Sequence, residues 1–154
     1  RGWIQFLNMA EAQTLFSAQD EQEIVKAIQE AETQTSGEIR VHVEASCGSK
    51  ETTQRAIEVF QMLQMHETEA RNGVLFYLAY EDKKFSIYGD QGINEAVEAH
   101  FWEDIRDLMQ AAFRQGDFKK GLIDGISASG KALKTYFPYQ SDDKNELDDS
   151  ISKA

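Results

Sequence analysis

Seven consecutive apolar or aromatic residues, Val74-Leu75-Phe76-Tyr77-Leu78-Ala79-Tyr80, constrain this chain more than any other stretch. An uninterrupted run of this kind suits a strand covered on both faces. The polar link Glu81-Asp82-Lys83-Lys84 and the segment Phe85-Ser86-Ile87-Tyr88 follow it. A strand, a short polar turn and a second strand make a hairpin. Asn72-Gly73 and the glycine-flanked Asp90 then lie at the same end of that hairpin.

The stretch before the run adds a parallel neighbour. Ser17 with Asp20 three residues on is a weak capping box. Ile24, Ala27, Ile28 and Ala31 keep helical spacing, which predicts a helix over about 18–34. From Glu38 to Ala45 the pattern alternates: Ile39, Val41 and Val43 on one face, Glu38, Arg40, His42 and Glu44 on the other. Period two predicts a strand whose polar face is wet or salt-bridged. A surface charge ladder is the simplest reading of those four residues. Ala56, Val59, Phe60 and Leu63 mark a helix over about 51–66, so the strands at 38–45 and 74–80 are parallel, joined by a right-handed βαβ crossover.

Beyond the hairpin, Asn94 is read as the cap of a helix with Val97, Phe101, Ile105, Leu108 and Ala112 inward. Gly116 stops it and Asp117 starts another, with Leu122, Ile126, Leu133 and Phe137 inward and Pro138 at its end. Gly121 and Gly125 share one face of that helix, which predicts close approach of its backbone to another element. The expected fold class is α/β: a three-layer α/β/α sandwich on a small mixed, mostly parallel sheet, with helices on both faces. Residues 1–16 read as an N-terminal extension, 17–139 as the domain and 140–154 as an acidic tail running over the surface. Met9 is a candidate native start.

Totals narrow the partners. The chain has 154 residues, room for one domain with a real core, and a net charge of −11. Such a field repels nucleic-acid phosphate and anionic lipid and suits a cation or a basic protein surface, though it also serves solubility alone. Cys47 is the only cysteine, so neither an intrachain disulfide nor a cysteine-based zinc cluster can form. The apolar run at 74–80 is far too short for a membrane span, and Trp3, Ile4, Phe6 and Leu7 make too interrupted a block for a signal core. A soluble monomer, cytoplasmic rather than exported, is expected.

Nucleophilic chemistry finds little support. Cys47 follows a strand and precedes a helix, as in cysteine-dependent phosphatases, but seven residues separate it from Arg55, more than that signature allows. It reads better as a small packing residue. Glu81-Asp82-Lys83 lacks the acid pair of a phosphoaspartate site, and no Walker or dinucleotide glycine pattern occurs. His42, His66 and His100 lack metal-ligand spacing; the latter two read as helix-surface residues. Asp142-Asp143-Lys144-Asn145-Glu146 is not an EF-hand. What remains is oxygen chemistry. Glu38, Asn72 and Asp90 belong to one end of the sheet, and Asp117 is read as coming near them. Carboxylate and amide oxygens from several loops are what Ca²⁺ or Mg²⁺ requires. For Asp90 a plain turn aspartate stands beside this reading, for Asp117 an N-cap, and for Glu38 a strand-edge charge.

Several short motifs, in this order, resemble the TPM domain family of thylakoid-lumen photosystem II repair proteins and bacterial relatives. They are Thr35-Ser36-Gly37-Glu38-Ile39-Arg40-Val41, Asn72-Gly73-Val74-Leu75, Gly89-Asp90-Gln91-Gly92-Ile93, and Gly116-Asp117-Phe118 with Gly121. The resemblance covers about residues 16–138. Phe101-Trp102, Phe137-Pro138 and Asn145-Glu146-Leu147 are similar to a small stand-alone bacterial branch. The resemblance implies the sandwich fold and divalent-cation binding at the loop cluster, with calcium ahead of magnesium. It also implies, for some plant members, a proposed acid phosphatase activity. Where the family often has an aspartate before Asn-Gly, this chain has Arg71. That change removes one candidate ligand and adds a charge suited to phosphate. Two functions stay open: a metal-binding domain, Glu38, Asn72, Asp90 and Asp117 being the candidate ligands, with or without phosphomonoester hydrolysis; or a non-enzymatic protein-interaction module in repair or envelope maintenance.

Overall fold

A computed structural model of the chain describes residues 15–140 and 149–154. Four strands form one sheet in the order β3-β2-β1-β4. They are β1 (Glu38–Glu44), β2 (Gly73–Ala79), β3 (Lys84–Gly89) and β4 (Ser152–Lys153). β1 runs parallel to β2 and to β4, and β2 and β3 make the antiparallel hairpin. Helices α1 (Ala18–Ala31), α2 (Thr52–Met62), α3 (Gln91–Ala96), α4 (Glu103–Arg114) and α5 (Phe118–Leu133) complete the described elements.

The two sheet faces have different cores. Ile39, Val41, Val43, Val74, Phe76, Leu78 and Ile87 pack with residues of α1, α4 and α5. On the opposite face Leu75, Tyr77 and Ala79 meet Ala56, Val59 and Phe60 of α2, with Met65 beyond it. Helices on both sides make the three-layer α/β/α sandwich. β2 is buried at every position because it is central and doubly covered. Phe16, one residue before the expected boundary at 17, is buried in the first core.

Helix ends follow local chemistry more than apolar spacing. Ser17 and Asp20 form the capping box that starts α1. α1 stops at Ala31, short of 34, and Thr33 and Gln34 form a turn. α2 ends at Met62, short of 66, because the chain turns at Gln64 with φ of 57°. His66 therefore stands on an exposed turn, not on a helix surface. Asp90, not Asn94, caps the next helix, and Asn94 lies inside α3. Val97 is extended, which splits the expected single helix into α3 and α4. In α4, Met109 faces inward and Leu108 is 44% exposed, so the buried set is Ile105, Met109 and Ala112. α5 stops at Leu133, ahead of Pro138, which instead makes a β-bridge with Thr35.

Gly121 and Gly125 mark the close approach that their spacing implies. A Cβ at Gly121 would lie 2.2 Å from the Phe113 ring, and one at Gly125 would lie 2.4 Å from Met109 Sδ. The two helices interlock there, large side chains of α4 seated on bare backbone of α5. No helix among the described residues is long and apolar enough to cross a membrane.

The polar face of β1 is not a surface ladder. Glu44 is 2% exposed and lies under α2. It accepts hydrogen bonds from Arg55 Nε and Nη2, both at 2.8 Å, and from the Tyr77 hydroxyl. His42 stacks on Tyr77 and bridges Glu44 Oε1 (3.2 Å) and Ser152 Oγ (3.0 Å). The expectation of a freely running surface tail is thereby corrected for residues 149–154. They add β4 to the β1 edge, with Lys153 paired to Glu21 and Ala154 N–H donating to Val43 O. The segment 141–148 lies outside the described residues.

Two carboxyl groups make this arrangement pH-sensitive in opposite ways. Burial alone would raise the Glu44 pKa, but hydrogen bonds from Arg55, His42 and Tyr77 hold it at about 2. Its contribution is therefore full above about pH 4.5 and is lost as pH falls toward 2. We expect Glu44→Gln to lower stability by about 2 kcal/mol, since it leaves the partly buried Arg55 guanidinium with Glu58 as its remaining carboxylate partner. Chemical denaturation at neutral pH measures this. Glu32 behaves in reverse. Burial, a hydrogen bond with Asp149, and the charges of Asp149 and Glu38 push its pKa up to about 9, against the pull of the Ile39 amide. The folded chain keeps a proton there that the unfolded chain releases, so stability is full below about pH 4.5 and declines as pH rises toward 9. Glu32→Gln imitates the protonated acid. Its unfolding midpoint should exceed that of wild type at pH 8, by about 1–2 kcal/mol in stability, and match it near pH 4.

Candidate functional site: the Asp90–Arg71 end of the sheet

At the Gly73 end of the hairpin three backbone segments are tied together. Asp90 N–H donates to Gly73 O at 2.9 Å, and Gly92 N–H donates to Arg71 O at 2.8 Å. A Cβ on Gly92 would lie 2.2 Å from Ala70 O, so only glycine permits this approach. Thr68 adds its carbonyl to Arg71 N–H and its hydroxyl to Asn72 N–H. Arg71 itself is left-handed, with φ of 50°. A non-glycine residue in that region stores strain, which the surrounding contacts hold in place.

Asp90 is 3% exposed and has little freedom. One oxygen accepts Arg71 Nε at 2.8 Å, the other accepts Arg71 Nη2 at 2.9 Å and the Gln91 amide at 2.7 Å. It is thus both the cap of α3 and the carboxylate of a fork-like ion pair. The Arg71 side chain is 44% exposed, and its pKa is raised by the hydrogen bonds to Asp90. The buried anion is fixed by backbone; its counter-charge is carried by a side chain that reaches solvent.

The other expected ligands do not join Asp90 around one point. Glu38 pairs with Gly73, so Glu38, Gly73 and Asp90 form a row across three strands. Two strand spacings, about 9–10 Å, separate its ends. Met65 O and the Phe60 ring lie over Gly73, between them. Asn72 turns the other way: its Nδ2 donates to Ser36 O at 3.2 Å, and its carbonyl accepts Glu38 N–H at 3.1 Å. Asp117 caps α5 through Lys120 N–H. Leu133, at the far end of α5, touches the Gly37 site beside Glu38, and α5 is about 24 Å long. Asp117 therefore belongs to the opposite end of the sheet, contrary to the expectation that it comes near. No group of three His, Cys, Asp or Glu positioned for a metal occurs among the described residues. The four expected ligands therefore do not gather around one point.

Cys47 is held as a packed thiol. It is buried, and burial together with the hydrogen-bonded Asp82 carboxylate pushes its thiol pKa up. Asp82 also takes Cys47 N–H and the Ser46 hydroxyl, which makes it a loop staple.

Beside the ion pair lies a cleft of about 430 Å³. Arg71, Asp90, His66 and Gln61 give it polar edges, and Phe60 and Tyr88, packed edge to face, form an aromatic wall. The hairpin brings Arg71 to the same end as Asn72 and Asp90, and the sequence marks its charge as suited to phosphate; the sequence does not signal the two-pronged pairing of Arg71 with Asp90, or that Gln61, His66 and Tyr88 line the same cleft. The turn that brings His66 over the sheet had no such signal.

Comparisons with known proteins bear on the family and the fold. A search of curated sequences gives no match. Among solved structures, the chain is similar to the BA42 protein of the psychrophilic bacterium Bizionia argentinensis, known from NMR. The identity is 50% and the TM-score 0.86, over 90% of this chain and 95% of that one. Two more distant likenesses concern the fold alone. One is the N-terminal domain of the cg2496 protein of Corynebacterium glutamicum, at 14% identity and TM-score 0.62, over 90% of this chain and 81% of that one. The other is the N-terminal domain of a P. gingivalis protein, at 18% identity and TM-score 0.67, over 80% and 79%. The sequence profile of the TPM domain matches residues 9–132, most of the chain, and the protein belongs to the TPM domain family.

Proposed function

We propose that this TPM domain binds a divalent cation at the Asp90 end of the sheet, calcium in preference to magnesium, in exchange for the Arg71 guanidinium. One observation carries this reading: a carboxylate that is 3% exposed has as its counter-ion an arginine that is 44% exposed. Swinging that side chain into solvent would open two anionic oxygens while the backbone around Asp90 stays put. Ca²⁺ accepts irregular sets of carboxylate, carbonyl and water oxygens, whereas Mg²⁺ demands a near-ideal octahedron. Calcium is therefore the better match to a site with one fixed carboxylate. The net charge of −11 favours cation entry.

The same reading extends to weak phosphomonoester hydrolysis, for which a bound cation would supply charge to polarise phosphoryl oxygens. The chain's own part would be limited to Asp90 as the anchor and Arg71 as a released positive charge.

Calcium titration followed by amide NMR tests the proposal. In wild type, resonances of Arg71, Asn72 and Asp90 to Gly92 should move at millimolar calcium. Arg71→Gln removes the competitor, so it should bind more tightly by roughly tenfold and regain with calcium the thermal stability it loses without it. Asp90→Asn should be silent. If neither wild type nor Arg71→Gln responds, the cation reading is wrong. With p-nitrophenyl phosphate as substrate, any genuine hydrolysis should disappear in Asp90→Asn; equal rates would assign it to another site or a contaminant.

A further inference from the structure

We infer that the cleft beside Arg71 is a carboxylate-binding site, one that takes a monoanionic carboxylate on an apolar body. The inference does not rest on cation binding, and it concerns the state in which Arg71 stays on Asp90. A guanidinium has five N–H donors in a planar fork. Asp90 engages Nε and one hydrogen of Nη2. That is the side edge of the fork. The end edge, made by Nη1 and the remaining Nη2 hydrogen, is suited to a second oxyanion. Because Asp90 fixes the guanidinium plane, that edge is already oriented, and little ordering is left for a ligand to impose.

The cleft has both polar and apolar lining. Arg71, His66 and Gln61 offer donors, Asp90 also lines it but is already engaged by Arg71 and the Gln91 amide, and Phe60, Tyr88 and Ile57 supply apolar surface. Its volume, about 430 Å³, lies in the range of small-ligand sites. Charge selects among oxyanions. Asp90 already neutralises one unit at Arg71, and the chain as a whole carries −11. A phosphate dianion would meet more repulsion than a carboxylate, and it would leave the aromatic wall unused. The ligand could be a free organic acid or the carboxy-terminus of a peptide, since both present the same group.

The test uses the full chain in EDTA, with NMR of the Arg71 Nε–H and of the Gln61 and Tyr88 amides. Sodium hexanoate should shift all three saturably in the millimolar range. Hexanamide and inorganic phosphate should each bind at least ~10-fold more weakly, since one lacks the charge and the other the apolar body. Arg71→Lys keeps the charge but not the fork, and it should lose ~10-fold in affinity. Ile57→Glu places a competing carboxylate at the mouth without touching the ion pair and should lose a similar factor with its thermal midpoint nearly unchanged. An N-acetylated dipeptide ending in leucine, compared with its amide, separates the two sources: tighter binding than hexanoate by the free acid alone assigns the site to chain termini, and binding no tighter assigns it to small acids. Equal binding of hexanoate and hexanamide, phosphate binding as tight as hexanoate, or no saturable shift would overturn the inference. Added calcium bears only on the cation proposal: if that holds, calcium weakens hexanoate by displacing the Arg71 guanidinium from Asp90.

Discussion

Asp90 is a carboxylate that the backbone leaves nowhere to go. Its amide closes onto Gly73, its carbonyl accepts the amides of Ile93 and Asn94, and its side chain caps the helix that starts with Gln91. A negative charge so placed and so buried must be neutralised in place, because an isolated buried charge is among the costliest defects a fold can carry. Arg71 does so from a left-handed position that its neighbours enforce, and Gly92 allows the two loops to close around the pair. The end of the sheet is thus held by one ion pair, with strand ends, helix start and cleft arranged around it.

The opposite face of β1 shows the same logic deeper in the molecule. Glu44 is tolerated under α2 because Arg55, Tyr77 and His42 satisfy it, and His42 in turn reaches Ser152 of the added edge strand. Buried polar groups of this kind are retained only when every partner is present. That network ties the last residues of the chain to the central sheet. Where α2 ends is set separately, by the turn at Gln64, and that turn brings Met65 over Gly73. The cleft inherits its shape from packing that has nothing to do with ligand.

How much of this could be read from the sequence depends on the range of the interaction. The apolar run that forms β2, the alternation in β1, and the glycine pair of α5 act locally or at fixed spacing, and the sandwich is legible from them. Asp90 was legible as a special residue because two glycine-bounded turns had to meet at one hairpin end. What was not legible depended on where segments lie in three dimensions. Asp117 looks near Asp90 until the length of α5 is laid along the sheet, which puts it at the far end. The polar face of β1 looks wet until Arg55 of α2 is placed above it. Leu108 and Met109 are both apolar, and only packing against Gly125 decides which one turns inward. Residues 152 and 153 join the sheet through two ladder pairs, too short a stretch to show any periodicity.

Taken together, the loop end has one anionic oxygen pair and a choice of positive partner. With Arg71 in place, the guanidinium is presented toward an aromatic-walled cleft; with a metal ion in its stead, the arginine would be set free. Both readings rest on the claim that Arg71 and Asp90 act as a coupled unit and do not merely lie close. A double-mutant cycle on thermal unfolding, with Arg71→Gln, Asp90→Asn and the pair together, measures that directly. Strong non-additivity is expected, the double variant being no less stable than Arg71→Gln alone, since removing the second charge relieves the defect left by removing the first. Losses that simply add would show that the two side chains do not depend on one another, and would contradict it.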